Sequence, residues 1–381
     1  MTPRRTFPAL ALGVLVLVGA AVPAAPAAGA DLSGGLSAEQ LWAQNVFGTE
    51  ISPADAVLDG RGWLAWYPDS HLRAGASGRL VRFLDDPRLD HDYLQGSVEA
   101  QWAGGQGRRR LTGGVSGIWR SNTDLYTPYD YRDVSLFASG KLYFTPAFTF
   151  QARADLAQRV YPEMSWEDAR RVWLSGRLNR SLPTRTSLTL SGRVGWKDYE
   201  EAVPDTAGLV GDAPQAALWE VAVQVGQSLS ERVGARAWLT YGRLFEATNV
   251  ARQLTGFENP LLDEFSADGE RYGGALKVIL PWNCTTELAG EYINLYFPGE
   301  PSTRNGTPGP AFIGPDDLLI LGQRHDTVTR VKFYADKRIT GSSQARKLTL
   351  RASAEWTRQE STELYWTWQG WTVGGGLSFE F

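Results

Sequence analysis

The feature that most constrains this chain is an alternation of apolar and polar residues, which recurs in segments of about ten to fifteen residues along most of its length. In one such segment Phe148 and Phe150 alternate with Thr149 and Gln151. Successive side chains of a β-strand point to opposite faces of the sheet, so this period of two predicts strands with one apolar and one polar face. Helical periodicity is scarce. The pattern therefore predicts an all-β chain.

Sixteen segments follow this pattern, and the connections between them alternate between long and short. The segments span residues 32–46, 57–67, 72–84, 92–103, 109–120, 132–144, 148–160, 169–180, 186–198, 217–229, 232–244, 271–280, 286–296, 326–338, 346–357 and 369–381. Short periplasmic turns at one end and longer extracellular loops at the other are typical of a transmembrane β-barrel. The strands of a soluble β-sandwich also alternate between apolar and polar residues, but they average five or six residues. A sandwich also has no reason to place short loops at one end and long loops at the other.

The first two segments carry the alternation least clearly. Without them the count is fourteen, and residues 31–70 form a periplasmic extension or plug. Both counts are even, and an even strand number puts both chain ends in the periplasm. The fold prediction is a single antiparallel transmembrane β-barrel of sixteen strands, with fourteen strands and an N-terminal segment as the alternative.

Residues 1–30 have the pattern of a secretory signal. Arg4 and Arg5 precede an apolar run at residues 7–22, and Ala28-Gly29-Ala30 forms an A-x-A cleavage site. The apolar run is short for a spanning helix. We therefore expect residues 1–30 to be cleaved, which leaves a barrel at residues 31–381; an uncleaved anchor helix is the alternative.

The composition excludes several functions. One Cys among 381 residues excludes a disulfide scaffold and a Cys-ligated metal, and three His leave little for a histidine site. A formal net charge of −4 argues against nucleic acid as the main partner. We therefore assign no cofactor, no metal ligand and no catalytic residue.

The aromatic content is high, with 15 Trp, 14 Tyr and 15 Phe. Trp and Tyr settle at the headgroup level of a bilayer and form girdles at both edges of a transmembrane barrel. The aromatic residues near predicted strand ends are Trp66, Phe144, Tyr161, Trp196, Tyr199, Tyr241, Tyr272, Trp282, Tyr296, Trp368 and Trp371. The girdle is the favoured interpretation, and an ordinary apolar core is the alternative.

The polar face of the predicted strands carries charges at depths where the lipid face would cost about 2–4 kcal/mol for each. The alternation therefore directs them to the lumen. This lumen set consists of Arg153, Arg177, Arg193, Arg236, Lys277, Arg330, Lys332, Arg351, Glu99, Asp155, Glu220, Glu287 and Glu355. Charges beside water select solutes in porins, whereas Arg–carboxylate pairs that only rigidify the wall are the structural alternative. Sixteen strands enclose more space than side chains fill, so we expect an aqueous channel or a plug.

The last segment ends in alternating apolar residues, and Trp371, Phe379 and Phe381 share one face. A terminal aromatic strand that ends in Phe resembles the recognition signal of Gram-negative outer-membrane β-barrel proteins. The resemblance is to the class, and no specific family is indicated. It implies that these three residues are read by the barrel-assembly machinery. It also implies residence in the cell outer membrane, with outer-membrane lipid and lipopolysaccharide as partners.

The predicted extracellular loops are acidic, and one of them is rich in Gly and Pro. The acidic residues are Asp85, Asp86, Asp90, Asp92, Glu200, Glu201, Asp205, Asp212, Glu258, Asp263, Glu264 and Asp268. A solvated surface is the favoured interpretation, and sites that hold Ca²⁺ or bridge divalent ions to lipopolysaccharide are the alternative. Loop 297–325 either folds inward to constrict a pore or stays outside the barrel.

These observations predict passage of hydrophilic solutes through a charged lumen. The first alternative is a structural or export barrel, for example one that moves polysaccharide. The second is a rim enzyme that uses His91 or His325, although the adjacent His325 and Asp326 must point to opposite faces of a strand. A broad lumen with short loops would favour export, and a loop folded inward opposite the arginines would favour a selective pore. The oligomeric state stays open.

Overall fold

A computed structural model describes residues 31–45, 54–104, 107–201, 215–248, 265, 267–302, 322–339, 347–362 and 367–381. Most of these residues belong to sixteen β-strands. The strands are β1 Asp31–Ala43, β2 Asp55–Tyr67, β3 Leu72–Phe83, β4 His91–Gly104, β5 Arg109–Asn122, β6 Tyr131–Thr145, β7 Phe148–Val160, β8 Ala169–Ser181, β9 Thr186–Tyr199, β10 Gln215–Ser228, β11 Val233–Thr248, β12 Asp268–Leu280, β13 Cys284–Ser302, β14 Gly322–Arg338, β15 Lys347–Ser361 and β16 Trp368–Glu380. Short 3-10 helices lie in three connections, at Pro87–Leu89, Asp124–Tyr129 and Ser165–Glu167. The described part of the chain contains no helix that is long and apolar enough to cross a membrane.

The sixteen strands form one closed antiparallel barrel, in which each strand pairs with its neighbours in sequence. The barrel closes where β1 pairs with β16 on one side and with β2 on the other. Leu41, for example, lies opposite Val57 of β2 and Gly374 of β16. The sixteen-strand prediction is therefore confirmed. The fourteen-strand alternative is wrong, because residues 31–70 supply the two strands without which β3 and β16 would keep unpaired edges.

The connections differ in length between the two ends of the barrel. Those that follow even-numbered strands have two to eight residues, and those that follow odd-numbered strands have six to nineteen. We call the first set the short connections and the second set the long connections. Both described chain ends, Asp31 and Phe381, lie at the end of the barrel with the short connections.

The outer face of the barrel is apolar. Side chains such as Leu94, Leu156 and Leu239 are about half exposed, and the register places them all on this face. Such exposure would be costly in water but is favourable against lipid, where a closed sheet also pairs its backbone N–H and C=O groups between neighbouring strands. Charges on this face, such as Arg132 and Arg180, lie near strand ends. The pattern is that of a wall in contact with a bilayer.

Most of the predicted girdle residues lie on the outer face, but three face the interior and Trp282 lies in the turn between β12 and β13. Outward-facing members pair across strands, as in Tyr272 with Tyr292, whose ring centroids are 5.0 Å apart. Tyr161 instead packs against the inner-face Tyr131, and Tyr199 is a buried inner-face residue. Trp368 donates a hydrogen bond to the inner-face Gln359. These three are interior aromatic residues: Tyr199 and Trp368 lie at strand ends where the alternation points inward, and Tyr161 directly follows β7.

Candidate functional site

The register places all thirteen residues of the predicted lumen set on the face opposite the apolar one. The strands that carry them are β4 (Glu99), β7 (Arg153 and Asp155), β8 (Arg177), β9 (Arg193), β10 (Glu220), β11 (Arg236), β12 (Lys277), β13 (Glu287), β14 (Arg330 and Lys332) and β15 (Arg351 and Glu355). Every one of these strands alternates without a slip at these positions. One face therefore collects the charges of ten strands.

Ion pairs that skip a strand show that the charged face is the concave one. Arg236 of β11 contacts Glu287 of β13 at 2.6 Å, across β12. Arg351 of β15 contacts Glu39 of β1 at 3.6 Å, across β16. Strands two apart are about 9–10 Å from each other, so such contacts form where curvature brings side chains together. The charged face is thus the inner wall of the barrel.

Most charges on the inner wall are paired. Arg193 donates two hydrogen bonds to Glu220, at 3.0 and 2.9 Å, and its guanidinium lies 4.5 Å from the centre of the Trp173 ring. Arg330 contacts Glu355 at 3.0 Å, and Lys332 contacts the same carboxylate at 3.3 Å. A charge in a partly dehydrated wall needs a partner of opposite sign, and bidentate pairs also fix the geometry of the guanidinium.

Three buried carboxylates on the inner wall were missed by sequence reasoning. Asp59 accepts hydrogen bonds from Arg61 and Arg79, Asp133 from Arg159 and Arg171, and Asp326 from Arg324. They lie toward the long connections, near the starts of β2, β6 and β14. A usable signal was the spacing of two between opposite charges, as in Asp59 and Arg61, because residues two apart on a strand share a face.

The inner wall differs between the two halves of the barrel. Toward the long connections, Asp59 and Asp326 have side-chain exposures of 1% and 0%. Toward the short connections, Arg73 and Arg236 are each 46% exposed. Buried inner-wall side chains are therefore concentrated near the long connections, and exposed ones near the short connections.

A residue of one long connection packs on the inner wall. Phe265, between β11 and β12, is 2% exposed and clusters with Ala216, Leu218 and Leu244. Its ring centroid lies 4.8 Å from that of Trp173, the ring on which Arg193 rests. Ala267, two residues later, packs on a second inner-wall cluster, which consists of Ile293, Leu295, Phe297 and Val328. Phe265 and Ala267 of the connection between β11 and β12 thus lie against the inner wall, whereas most of loop 297–325, residues 303–321, lies outside the described residues.

The histidines have the partners of structural residues. His325 faces outward, where its ring stacks on Tyr296 with centroids 4.5 Å apart, while Asp326 faces the interior. His91 Nδ1 lies 3.0 Å from the carbonyl oxygen of Leu89, and His71 Nδ1 lies 3.0 Å from that of Gln101. Within the described ranges no three His, Cys, Asp or Glu residues form a group suited to a metal ion.

Several acidic residues of the long connections act as hydrogen-bond acceptors within the fold. Asp90 accepts a hydrogen bond from the backbone N–H of Phe83 at 2.8 Å, and burial raises the pKa of this carboxyl. Arg88 donates to Asp86 at 2.7 and 2.8 Å and lowers the pKa of that carboxyl. Glu200 is paired with Arg170 at 3.1 Å. Residues 205, 212, 258, 263 and 264 lie outside the described residues.

Comparison with known proteins supports the fold and nothing finer. No protein-family model and no curated protein matches the chain in sequence. Among solved structures, OprB of Pseudomonas putida is similar over 93% of this chain and 94% of its own, with 10% identity and a TM-score of 0.53. The outer membrane protein OprD from Pseudomonas aeruginosa matches over 92% and 93%, with 11% identity and a TM-score of 0.46. A bacterial polysaccharide outer membrane secretin matches over 91% and 97%, with 10% identity and a TM-score of 0.48. The chain thus has the barrel fold of Gram-negative outer-membrane proteins, as the terminal strand predicted.

Proposed function

We propose that this protein is an outer-membrane channel through which small hydrophilic solutes pass along a charged inner wall. The apolar outer face fits a lipid environment, and the ion pairs of the inner wall fit contact with water. In this arrangement residues 1–30 are a cleaved export signal, and the short connections and both ends of the mature chain face the periplasm. Outer-membrane lipid, lipopolysaccharide and the barrel-assembly machinery are the partners that this role implies.

The observation that carries the proposal is the contact of Phe265 with Trp173, beside Arg193. It places the ring of a long-connection residue against the charged inner wall, where it takes up space in a lumen that the side chains of sixteen strands do not fill. A polymer-export role needs a broad lumen, and the buried inner wall near the long connections argues against it. A rim enzyme needs a histidine aimed at a nucleophile or at a carboxylate. The outward-facing His325 has neither among its described contacts.

Single-channel conductance of the refolded, heat-modifiable protein in planar bilayers tests the proposal. We expect the wild-type protein to conduct in KCl and Phe265→Ala to conduct more, because removal of the buried ring opens space on the inner wall beside Trp173 and Arg193. Phe333→Ala, which removes a ring of the same size from the outer face, is the matched control and leaves the conductance unchanged. Folded barrels that insert but carry no current, in both the wild type and Phe265→Ala, would refute the channel.

A further inference from the structure

A recess in the half of the inner wall near the short connections brings three arginines together. It has a volume of about 390 Å³ and lies across β7 to β10. Its lining side chains on the inner face are Gln151, Arg153, Ser175, Arg177, Ser191, Arg193 and Glu220. The recess belongs to the half of the inner wall where exposed side chains are concentrated.

The strand register explains why the arginines converge. Arg153 and Arg193 lie on either side of Ser175 in one row across the sheet, and Arg177 lies between Gln151 and Ser191 in the next row. Arg177 is therefore the diagonal neighbour of both other arginines. Diagonal neighbours in a sheet are about 7–8 Å apart, which is within reach of long side chains.

The charges of the recess do not cancel. Arg153 is held by Asp155 at 2.5 Å, and Arg193 is held by Glu220 at 2.9 Å. Arg177 is exposed, and the described part of the chain offers it neither an ion pair nor a side-chain hydrogen bond. Its five N–H donors and its charge therefore face the lumen, beside two guanidinium groups whose orientation is already fixed.

The row of residues nearest the recess on the side of the short connections is uncharged and polar. Thr189 Oγ1 donates a hydrogen bond to Asn179 Oδ1 at 2.8 Å, and Asn179 Nδ2 donates to Thr149 Oγ1 at 3.4 Å. Hydroxyl and amide groups at this position can exchange hydrogen bonds with the hydroxyls of a solute. The path from the short connections to Arg177 thus offers polar contacts first and a positive charge at its end.

We propose that this recess is a binding subsite for small hydroxylated solutes that carry one oxyanion, a carboxylate or a phosphate. The oxyanion accepts charge-assisted hydrogen bonds from Arg177, and the body of the solute lies against Thr149, Asn179 and Thr189. The fixed neighbours Arg153 and Arg193 add to the positive potential that attracts the anion. This inference rests on the proposed channel, since it names the class of solute that the channel favours.

The test compares two readouts, with D-gluconate as the carboxylate probe, glucose 6-phosphate as the phosphate probe and glucose as the uncharged control. In bilayers, gluconate is expected to block the KCl current of the wild type, while glucose does not. In calorimetry on the detergent-solubilised barrel, gluconate is expected to bind. Arg177→Gln should weaken both effects about tenfold, as the loss of a charge-assisted hydrogen bond predicts.

Lys277→Gln is the matched control, because it removes one exposed charge from the inner wall of β12, outside the recess. It should retain gluconate block and binding, and Arg177→Lys should restore part of both. If Arg177→Gln and Lys277→Gln weakened gluconate block and binding equally, the subsite would be overturned. A KCl current through the same barrels would still support the channel. Gluconate binding that depends on Arg177 in a barrel without current would support the subsite and refute the channel. Block by glucose 6-phosphate alone would restrict the subsite to phosphate.

Discussion

At the residue scale, aspartates hold three of the long connections in shape. Asp90, Asp130 and Asp168 each immediately precede the next strand. Each accepts a hydrogen bond from a backbone N–H at or just after the end of the preceding strand, at 2.8, 2.6 and 2.6 Å. Burial raises the pKa of all three carboxyls. Asp90 belongs to a cluster for which the sequence favoured a solvated surface, because composition does not distinguish a solvated carboxylate from a loop acceptor.

Asp130 gives a prediction with two variants. Asp130→Ala removes the acceptor for the backbone N–H of Asn122, and an unpaired donor there costs about 1–3 kcal/mol of local stability. Asp130→Asn keeps a side-chain oxygen in place and removes the buried charge. We therefore expect the amide hydrogen of Asn122 to exchange much faster in the Ala variant and at near-wild-type rate in the Asn variant. Fast exchange in both would show that the charge, and not the acceptor, holds this connection.

The raised pKa of Asp130 also predicts a pH dependence. The folded state binds this proton more tightly than the unfolded state, so protonation favours the folded connection, and the gain is lost as the pH rises through the folded pKa. The ratio of Asn122 protection in the wild type to that in Asp130→Asn should increase as the pH falls from neutral toward 4. Because the two proteins are compared at the same pH, intrinsic exchange rates cancel. A ratio that falls over this range would reverse the assignment.

At the element scale, the closing strand β1 is one of the two strands that the sequence defined least well. Gly34 and Gly35 interrupt the alternation of β1. The pattern there therefore does not distinguish a β-strand from a periplasmic extension or plug. The structure gives Gly34 a role, because its N–H and C=O exchange hydrogen bonds with the backbone of Phe381, at 3.0 and 2.9 Å. A Cβ at Gly34 would lie 2.6 Å from Cζ of the Phe381 ring. The terminal ring thus covers this glycine at the closing seam.

This contact predicts a coupled effect on assembly. Gly34→Val should displace the Phe381 ring and slow formation of the heat-modifiable barrel, at a cost of about 1–3 kcal/mol, which is typical of overpacking. Removal of Phe381 should slow assembly as well, since we propose that Trp371, Phe379 and Phe381 form the assembly signal. The two changes together should be less than additive, because no ring remains for the valine to displace.

Gly60→Val is the control for that experiment. Gly60 is also an outer-face glycine near the closing seam, but a Cβ built there meets nothing within 4 Å. Its assembly rate should match that of the wild type. Strictly additive effects of Gly34→Val and loss of Phe381 would contradict the proposed contact, and normal assembly without Phe381 would contradict the terminal signal.

The sequence predicted the strands well and the contacts of the side chains inside the barrel poorly. All sixteen predicted segments overlap observed strands, because the alternation is imposed locally by lipid on one side and water on the other. Two strands extend beyond their predicted segments: β13 continues to Ser302, and β14 begins at Gly322. Backbone pairing continues there because strands outside the bilayer do not require an apolar face. The contact of Phe265 with Trp173 joins residues far apart in sequence, and no periodic signal marks such a contact.

At the scale of the whole molecule, the two ends of the barrel are chemically different. The long connections lie at the end where the inner wall is buried, and the short connections lie at the end where the Arg177 recess is open. If the long connections are extracellular, a solute entering from outside meets the half with buried side chains first and reaches the recess on its way to the periplasm. The orientation of the barrel in the membrane therefore decides whether the recess is an entry site or an exit site for a solute from outside.

Cysteine labelling determines this orientation. The chain has one natural cysteine, Cys284, at the start of β13, and Cys284→Ser removes it from the background. In that background, Glu163→Cys places a thiol at an exposed position of the long connection between β7 and β8. Ala147→Cys places one at an exposed position of the short connection between β6 and β7. The reagent is a polyethylene-glycol maleimide too large to cross the outer membrane through a channel of this kind.

We expect the reagent to label Glu163→Cys in intact cells and to label Ala147→Cys only after the outer membrane is permeabilised. The physical reason is that an even number of strands keeps both chain ends and all short connections on one side, which is the side from which an exported chain enters the membrane. Labelling of both variants after permeabilisation shows that both thiols are reactive. The reverse pattern in intact cells would place the open recess toward the exterior and make Arg177 the first charge that an entering solute meets.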